Sequence, residues 1–84
     1  MTVPTEAKNP SHSEQYKQIG LNIAFYRKLK GITQMQLAER IGISRTHMSN
    51  IEAPHMEKTM SLEVLLSIAD VLEIEAYKLL MMRE

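Results

Sequence analysis

Four polar side chains near the middle of this 84-residue chain have the types and spacing needed to bind nucleic-acid bases. They are Arg45, Thr46, Ser49 and Asn50. On a helix, intervals of one, three and one residue place them on one face. A guanidinium can make two hydrogen bonds to guanine and an amide two to adenine, and hydroxyl groups can bond to bases or phosphates. The pattern predicts a base-contacting face, provided that the neighbouring residues form a helix.

Capping signals around these residues predict two short helices joined by a tight turn. Thr33 with Gln36 three residues later forms a capping-box pattern at a helix start. Gly42 suits the left-handed backbone that ends a helix, and Ser44 can cap the next one. These signals place the two helices at about Gln34–Ile41 and Arg45–Ala53.

Apolar residues recur at helical spacing along most of the chain and predict an all-α domain of five helices. The other three helices are expected at about Glu14–Lys30, Leu62–Leu72 and Ala76–Met82. The small Ala38 allows close helix crossing. The side chains expected to face the core are Ile19, Ile23, Tyr26, Leu37, Ala38, Ile41, Met48, Ile51, Leu62, Leu65, Leu66, Ala69 and Leu72.

Length and composition limit the function classes. Residues 1–13 contain two prolines and no apolar period, which predicts a disordered tail before a single domain at 14–84. There is no cysteine, and His12, His47 and His55 lack ligand spacing, so no metal or cofactor site is expected. No nucleophile–base set points to an enzyme. No signal peptide or membrane span is evident, so a cytoplasmic protein is expected.

The formal net charge of zero hides a separation of charge along the chain. Residues 16–50 carry six cations and one anion, a net charge of +5, and the remainder carries −5. The positive half contains the predicted helix pair. This polarity favours one side that faces DNA and an acidic side that faces solvent.

The chain resembles the lambda-repressor/Cro-like helix-turn-helix family over about Ile19 to Leu80. The matching residues form an ordered set: Ile23, Arg27, Gly31-Ile32-Thr33-Gln34, Leu37-Ala38, Gly42-Ile43-Ser44, Met48, Ile51-Glu52, Ser61-Leu62, Leu65, Ile68-Ala69, Leu72 and Leu79-Leu80. The resemblance implies a five-helix domain that binds duplex DNA sequence-specifically and regulates transcription as a repressor, with its third helix in the major groove.

The resemblance also implies roles for residues outside the third helix. Arg27 and Glu52 match a family ion pair that orients the recognition helix. Gln34 matches a phosphate contact at a helix N-terminus. The connection Ala53 to Met60 is about two residues longer than usual, which leaves its role open. The residues expected to contact phosphate are Gln34, Arg27, Lys30, His47 and Lys58.

Two apolar surfaces beyond the predicted core suggest protein contacts. A homodimer on a near-palindromic operator is expected, because one helix-turn-helix contacts few base pairs. Its predicted contact consists of Tyr77, Leu80, Met81 and Met82. The second surface, Leu21 with Phe25 and Leu29, is covered either by the chain's own termini, for example by Leu80 and Met81, or by a partner. The alternative function is a protein-interaction module, such as an antitoxin or anti-repressor, that uses either surface.

Overall fold

A computed structural model describes residues 12–53 and 60–82 of the chain. These residues form five helices and no strand: α1 Ser13–Lys30, α2 Gln34–Ile41, α3 Arg45–Glu52, α4 Leu62–Leu72 and α5 Tyr77–Leu80. The all-α prediction is confirmed, with α1 beginning one residue earlier than expected and α5 limited to one turn. Apart from its last two residues, the predicted disordered tail lies outside the described residues, as does most of the long connection.

The predicted capping signals form the ends of α2 and α3. Thr33 and Gln36 make both bonds of the capping box, since the Gln36 N–H donates to Thr33 Oγ1 at 3.0 Å and the Thr33 N–H to Gln36 Oε1 at 2.8 Å. Gly42 ends α2 with a φ of 79°, in the left-handed region. The Ser44 side chain then accepts the His47 N–H at 3.0 Å and starts α3. The geometry of the turn therefore follows from local sequence.

The core lies where α1, α2, α3 and α4 meet, and α5 closes it beside α1. Its buried apolar residues are Ile19, Ile23, Leu37, Ala38, Met48, Ile51, Leu65, Ile68, Ala69, Leu72 and Leu79. Tyr26 and Ile41 are partly buried against this cluster. Nearly all predicted core positions are confirmed.

The predictions that Leu62 and Leu66 face the core are wrong. Their side chains are 68% and 42% exposed. The buried stripe of α4 runs through Leu65, Ile68 and Leu72, and Leu66 lies about 100° around the helix from Leu65. Leu62 occupies the first turn of α4, where none of the described helices covers it. Ile68, which is fully buried, occupies the position that the prediction missed.

A buried amide connects α1 to the end of the described chain. Asn22 is 1% exposed, and its Nδ2 donates to the carbonyl oxygens of Leu79 at 3.0 Å and Met81 at 2.8 Å. Its Oδ1 accepts a hydrogen bond from Gln18 Nε2 at 3.0 Å. All polar atoms of the buried amide thus have partners, and the residues that follow α5 are held against α1.

Candidate nucleic-acid interface

The four predicted base-contacting residues share the solvent-facing side of α3. Arg45, Thr46, Ser49 and Asn50 are all exposed, whereas Met48 and Ile51 on the opposite side are buried. The helix is therefore fixed to the core by its apolar side and presents a row of donors and acceptors on the other. This arrangement can hydrogen-bond to base edges without unfolding any part of the domain.

An ion pair connects the C-terminal end of α3 to α1. Arg27 Nε donates to Glu52 Oε2 at 2.6 Å, and Arg27 Nη2 donates to Glu52 Oε1 at 3.1 Å. Both residues are only 9% exposed, and the remaining guanidinium donor, Nη1, bonds to the Ile32 carbonyl oxygen at 2.8 Å. The pair expected from the resemblance is present. Its fork geometry fixes the direction of α3, because two parallel bonds resist rotation of either side chain.

Gln34 takes part in the same network at the start of α2. Its Nε2 donates to Glu52 Oε1 at 2.9 Å, so that one carboxylate oxygen accepts from both Gln34 and Arg27. The Gln34 amide carries a second N–H that this bond does not use. Glu52 consequently holds the N-terminus of α2 and the C-terminus of α3 in one arrangement.

An open groove beside this network collects positive charge. It is lined by Arg27, Lys28, Gly31, Ile32, Thr33, Gln34, Met35 and Arg45. Lys28 and Arg45 bring positive charge to the N-terminus of α2 there, whereas the charge of Arg27 is paired with Glu52; the two cations and the helix N-terminus both favour an anion. Lys28 was not among the predicted phosphate contacts. The sequence feature that could have indicated Lys28 is the cluster of basic residues in the last turn of α1.

Three predicted phosphate contacts lie elsewhere or outside the described residues. Lys30 Nζ pairs with Glu73 Oε1 at 2.5 Å, beyond the groove, and its hydrogen bond and positive charge lower the pKa of the Glu73 carboxyl. His47 is exposed on α3, next to the base-contacting row. Lys58 lies outside the described residues.

A close approach between α1 and α3, which the sequence interpretation missed, sets the distance between the two helices. A Cβ at Gly20 would lie 2.5 Å from the Glu52 carbonyl oxygen and 2.7 Å from that of Ile51. Only glycine permits this approach. The signal was a glycine inside a helical pattern with no turn residues beside it, which indicates close backbone packing.

The predicted dimer residues form an exposed group at the end of the described chain, here called the C-terminal apolar group. Its members Tyr77, Leu80, Met81 and Met82 are between 47% and 60% exposed. The second apolar surface is also open, since Leu21 is 60% and Leu29 is 71% exposed. The described C-terminal residues therefore do not cover it.

The described part of the chain contains neither a membrane-spanning helix nor a cluster of metal ligands. There, no helix is both long enough and apolar enough to cross a membrane. Among the same residues, no three His, Cys, Asp or Glu side chains are grouped so that they could hold a metal ion.

Known proteins are similar to most of this chain. The profile of a helix-turn-helix domain family matches residues 20–83. The HTH-type transcriptional regulator SinR from Bacillus subtilis (strain 168) is 34% identical over 62 residues, which are 74% of this chain and 55% of that protein. The chain thus spans about half the length of this relative.

Two solved structures are similar to the fold described above. SinR in complex with DNA has a TM-score of 0.68 at 33% identity and covers 75% of this chain and 98% of its own. The restriction-modification controller protein C.AhdI from Aeromonas hydrophila has a TM-score of 0.70 at 28% identity and covers 76% of this chain and 94% of its own. The resemblance found in the sequence is thereby confirmed.

Proposed function

This chain belongs to the helix-turn-helix domain family, of the lambda-repressor/Cro-like type, and from that premise we propose that it binds duplex DNA sequence-specifically and regulates transcription. The observation that carries the proposal is the exposed polar face of α3, fixed from behind by a buried ion pair. Similarity to a transcriptional regulator and to a structure of SinR with DNA supports it. The proposed role requires no catalysis.

In the proposed complex α3 enters the major groove, where each base pair presents a distinct set of donors and acceptors. Arg45, at the N-terminal end of α3, is assigned to a guanine and Asn50 to an adenine. Thr46 and Ser49 lie between them and bond to further base edges or to the backbone. The sequence preference then depends on this row of side chains.

Phosphate contacts fix the orientation of the domain on the duplex. The groove at the start of α2 is lined by Gln34, Arg27 and Lys28, which are assigned to phosphates. Arg45 also lines this groove. His47 is assigned to a further phosphate, and so is Lys58, which lies outside the described residues. Lys30 and Arg27 are weaker candidates than Gln34 and Lys28, because the Lys30 ammonium is bound to Glu73 and the Arg27 guanidinium is bound to Glu52 and to the Ile32 carbonyl oxygen.

We assign the C-terminal apolar group to a homodimer contact. A two-fold dimer presents two copies of α3 to half-sites roughly 34 Å apart and therefore selects a near-palindromic operator. One copy alone contacts too few base pairs to distinguish its operator from many competing sites.

Measurement of duplex binding against salt concentration tests the proposal. If about four phosphates are neutralised per monomer, the logarithm of the association constant should fall with that of the salt concentration with a slope near −3.6 per monomer. In the same assay the variant Gln34→Ala, which lacks one proposed phosphate contact, should bind all duplex sequences more weakly by the same factor. A wild-type slope near zero would overturn the DNA-binding function.

A further inference from the structure

Exposed apolar side chains form a row along α1 on the side that is remote from α3. The row, here called the outer stripe, consists of Leu21, Phe25 and Leu29, which are 60%, 46% and 71% exposed. They recur every four residues and therefore lie one above the other along the helix. Such a row on a small domain of marginal stability favours burial against another surface.

Asn22 joins the outer stripe to the C-terminal apolar group. Its side chain holds the carbonyl oxygens of Leu79 and Met81, at 3.0 and 2.8 Å. Around the axis of α1, Asn22 lies about 60° from Phe25, at the edge of the stripe. The chain at Leu79 and Met81 therefore lies at this edge of α1, so the C-terminal apolar group neighbours the outer stripe; the two groups together are here called the combined surface.

This combined surface leaves the base-contacting face open. Gly20 and Arg27 mark the side of α1 that packs on α3, through the close backbone approach and the ion pair. Phe25 lies about 140° from Gly20 and about 160° from Arg27 around the helix axis. A molecule bound to the outer stripe consequently does not obstruct α3.

The size of the combined surface matches what a stable dimer needs. Seven large apolar side chains that are each about half exposed present on the order of 700 Å² in total, and a standard interface buries about 800 Å² on each partner. The C-terminal apolar group alone supplies roughly half of that area. The outer stripe provides the remainder.

We propose that the outer stripe and the C-terminal apolar group together form the surface with which a second copy of this chain associates. In a two-fold dimer both copies use the same surface, so each residue of the stripe occurs at two equivalent positions of the interface. Asn22 is a positioning residue in this interface, because it holds the C-terminal residues beside α1. The inference rests on the proposed homodimer and extends its contact from the C-terminus to α1.

Sedimentation equilibrium of single variants of the full chain tests this inference. Leu29→Glu places a charge in the outer stripe and should weaken the dimer at least tenfold, as should Leu80→Glu in the C-terminal apolar group. Leu62→Glu is the matched control, because Leu62 is an equally exposed leucine, at 68%, outside the combined surface. Its dimerisation constant should equal that of the wild type. Circular dichroism verifies that each variant is folded, and Leu21→Glu is a second probe of the stripe.

The possible results separate this inference from the proposed DNA binding. A Leu29→Glu variant that dimerises as tightly as Leu62→Glu would overturn the extension to α1, and a wild type that is monomeric at high micromolar concentration would overturn the interface as a whole. Binding to a single half-site duplex is measured in parallel. Leu21→Glu, whose new charge lies about two helical turns from Lys28, should retain half-site affinity and lose affinity for the two-half-site duplex. A dimer that binds neither duplex would contradict the proposed function and leave the interface intact.

Discussion

Replacement of Gly20 by alanine adds one methyl group at the closest approach of α1 and α3. At an exposed position inside a helix, glycine to alanine raises stability by about 1 kcal/mol, through helix propensity and a smaller loss of backbone entropy. At Gly20 the new Cβ would lie 2.5 Å from the carbonyl oxygen of Glu52 and 2.7 Å from that of Ile51. These atoms belong to the backbone, so no side-chain rotation can relieve the contact.

The predicted net effect is a loss of stability despite the gain in helix propensity. Overpacking of this kind destabilises a protein by about 1–3 kcal/mol. We expect the upper part of that range, because the two atoms nearest to the new Cβ are both backbone oxygens. After subtraction of the propensity gain, the free energy of unfolding should fall by about 1–2 kcal/mol. For a domain of this size, each kcal/mol lowers the melting temperature by roughly 4–8 °C.

Urea unfolding followed by circular dichroism measures this difference. Gln15→Ala, at an exposed position of the same helix, is the control and should change stability by less than about 0.5 kcal/mol. Gly20→Ala should also weaken duplex binding where the protein is fully folded, because the displaced carbonyls belong to the end of α3. A Gly20→Ala protein that is about 1 kcal/mol more stable than the wild type would refute the close approach of the two helices.

Three further substitutions test other parts of the structure by urea unfolding. Glu52→Gln leaves a buried guanidinium without its carboxylate and should lower the free energy of unfolding by about 2–3 kcal/mol. The control Glu39→Gln, at an exposed position, should leave the free energy of unfolding nearly unchanged. Equal effects of the two substitutions would refute the role of the ion pair. Gly42→Val should destabilise by at least about 1 kcal/mol, because φ is 79° there, and an unchanged melting temperature would contradict the turn geometry. Because Lys30 lowers the pKa of Glu73 in the folded state, this pair stabilises the protein above the unfolded carboxyl's pKa and the effect is lost as pH falls through the folded value. Unfolding measured against pH should show a small loss on acidification that Glu73→Gln removes; an identical acid profile for that variant would contradict the pair.

The helix-turn-helix could be predicted from sequence because its determinants are local. The capping box at Thr33, the left-handed Gly42 and the cap at Ser44 each act within four residues of the chain. The exposed row on α3 follows from helical spacing once the helix is placed. The bounds of α2 agreed with the structure for the same reason, and α3 ended one residue earlier than expected.

Features that depend on how the helices pack against one another could not be predicted from local sequence. The role of Gly20 depends on the position of carbonyl oxygens more than thirty residues away in the chain. The exposure of Leu62 and Leu66 depends on how far neighbouring helices extend over α4. The two hydrogen bonds from Asn22 to the carbonyl oxygens of Leu79, in α5, and Met81, just after it, likewise require the assembled fold. The local bond from Gln18 to Asn22 does not by itself indicate burial, and a single buried asparagine gives no periodic signal.

Selection of binding sites from a random duplex library, with the wild type and Arg45 variants, tests the central claim most directly. The wild type should select a near-palindromic site, and Arg45→Ala should lose preference for one base in each half-site, at a loss of about 1–3 kcal/mol on the original site. Arg45→Lys keeps the charge without the bidentate fork, so it should retain binding and show the same relaxed position. A selected sequence that is identical for the wild type and Arg45→Ala would contradict the assignment of α3 as the helix that determines sequence.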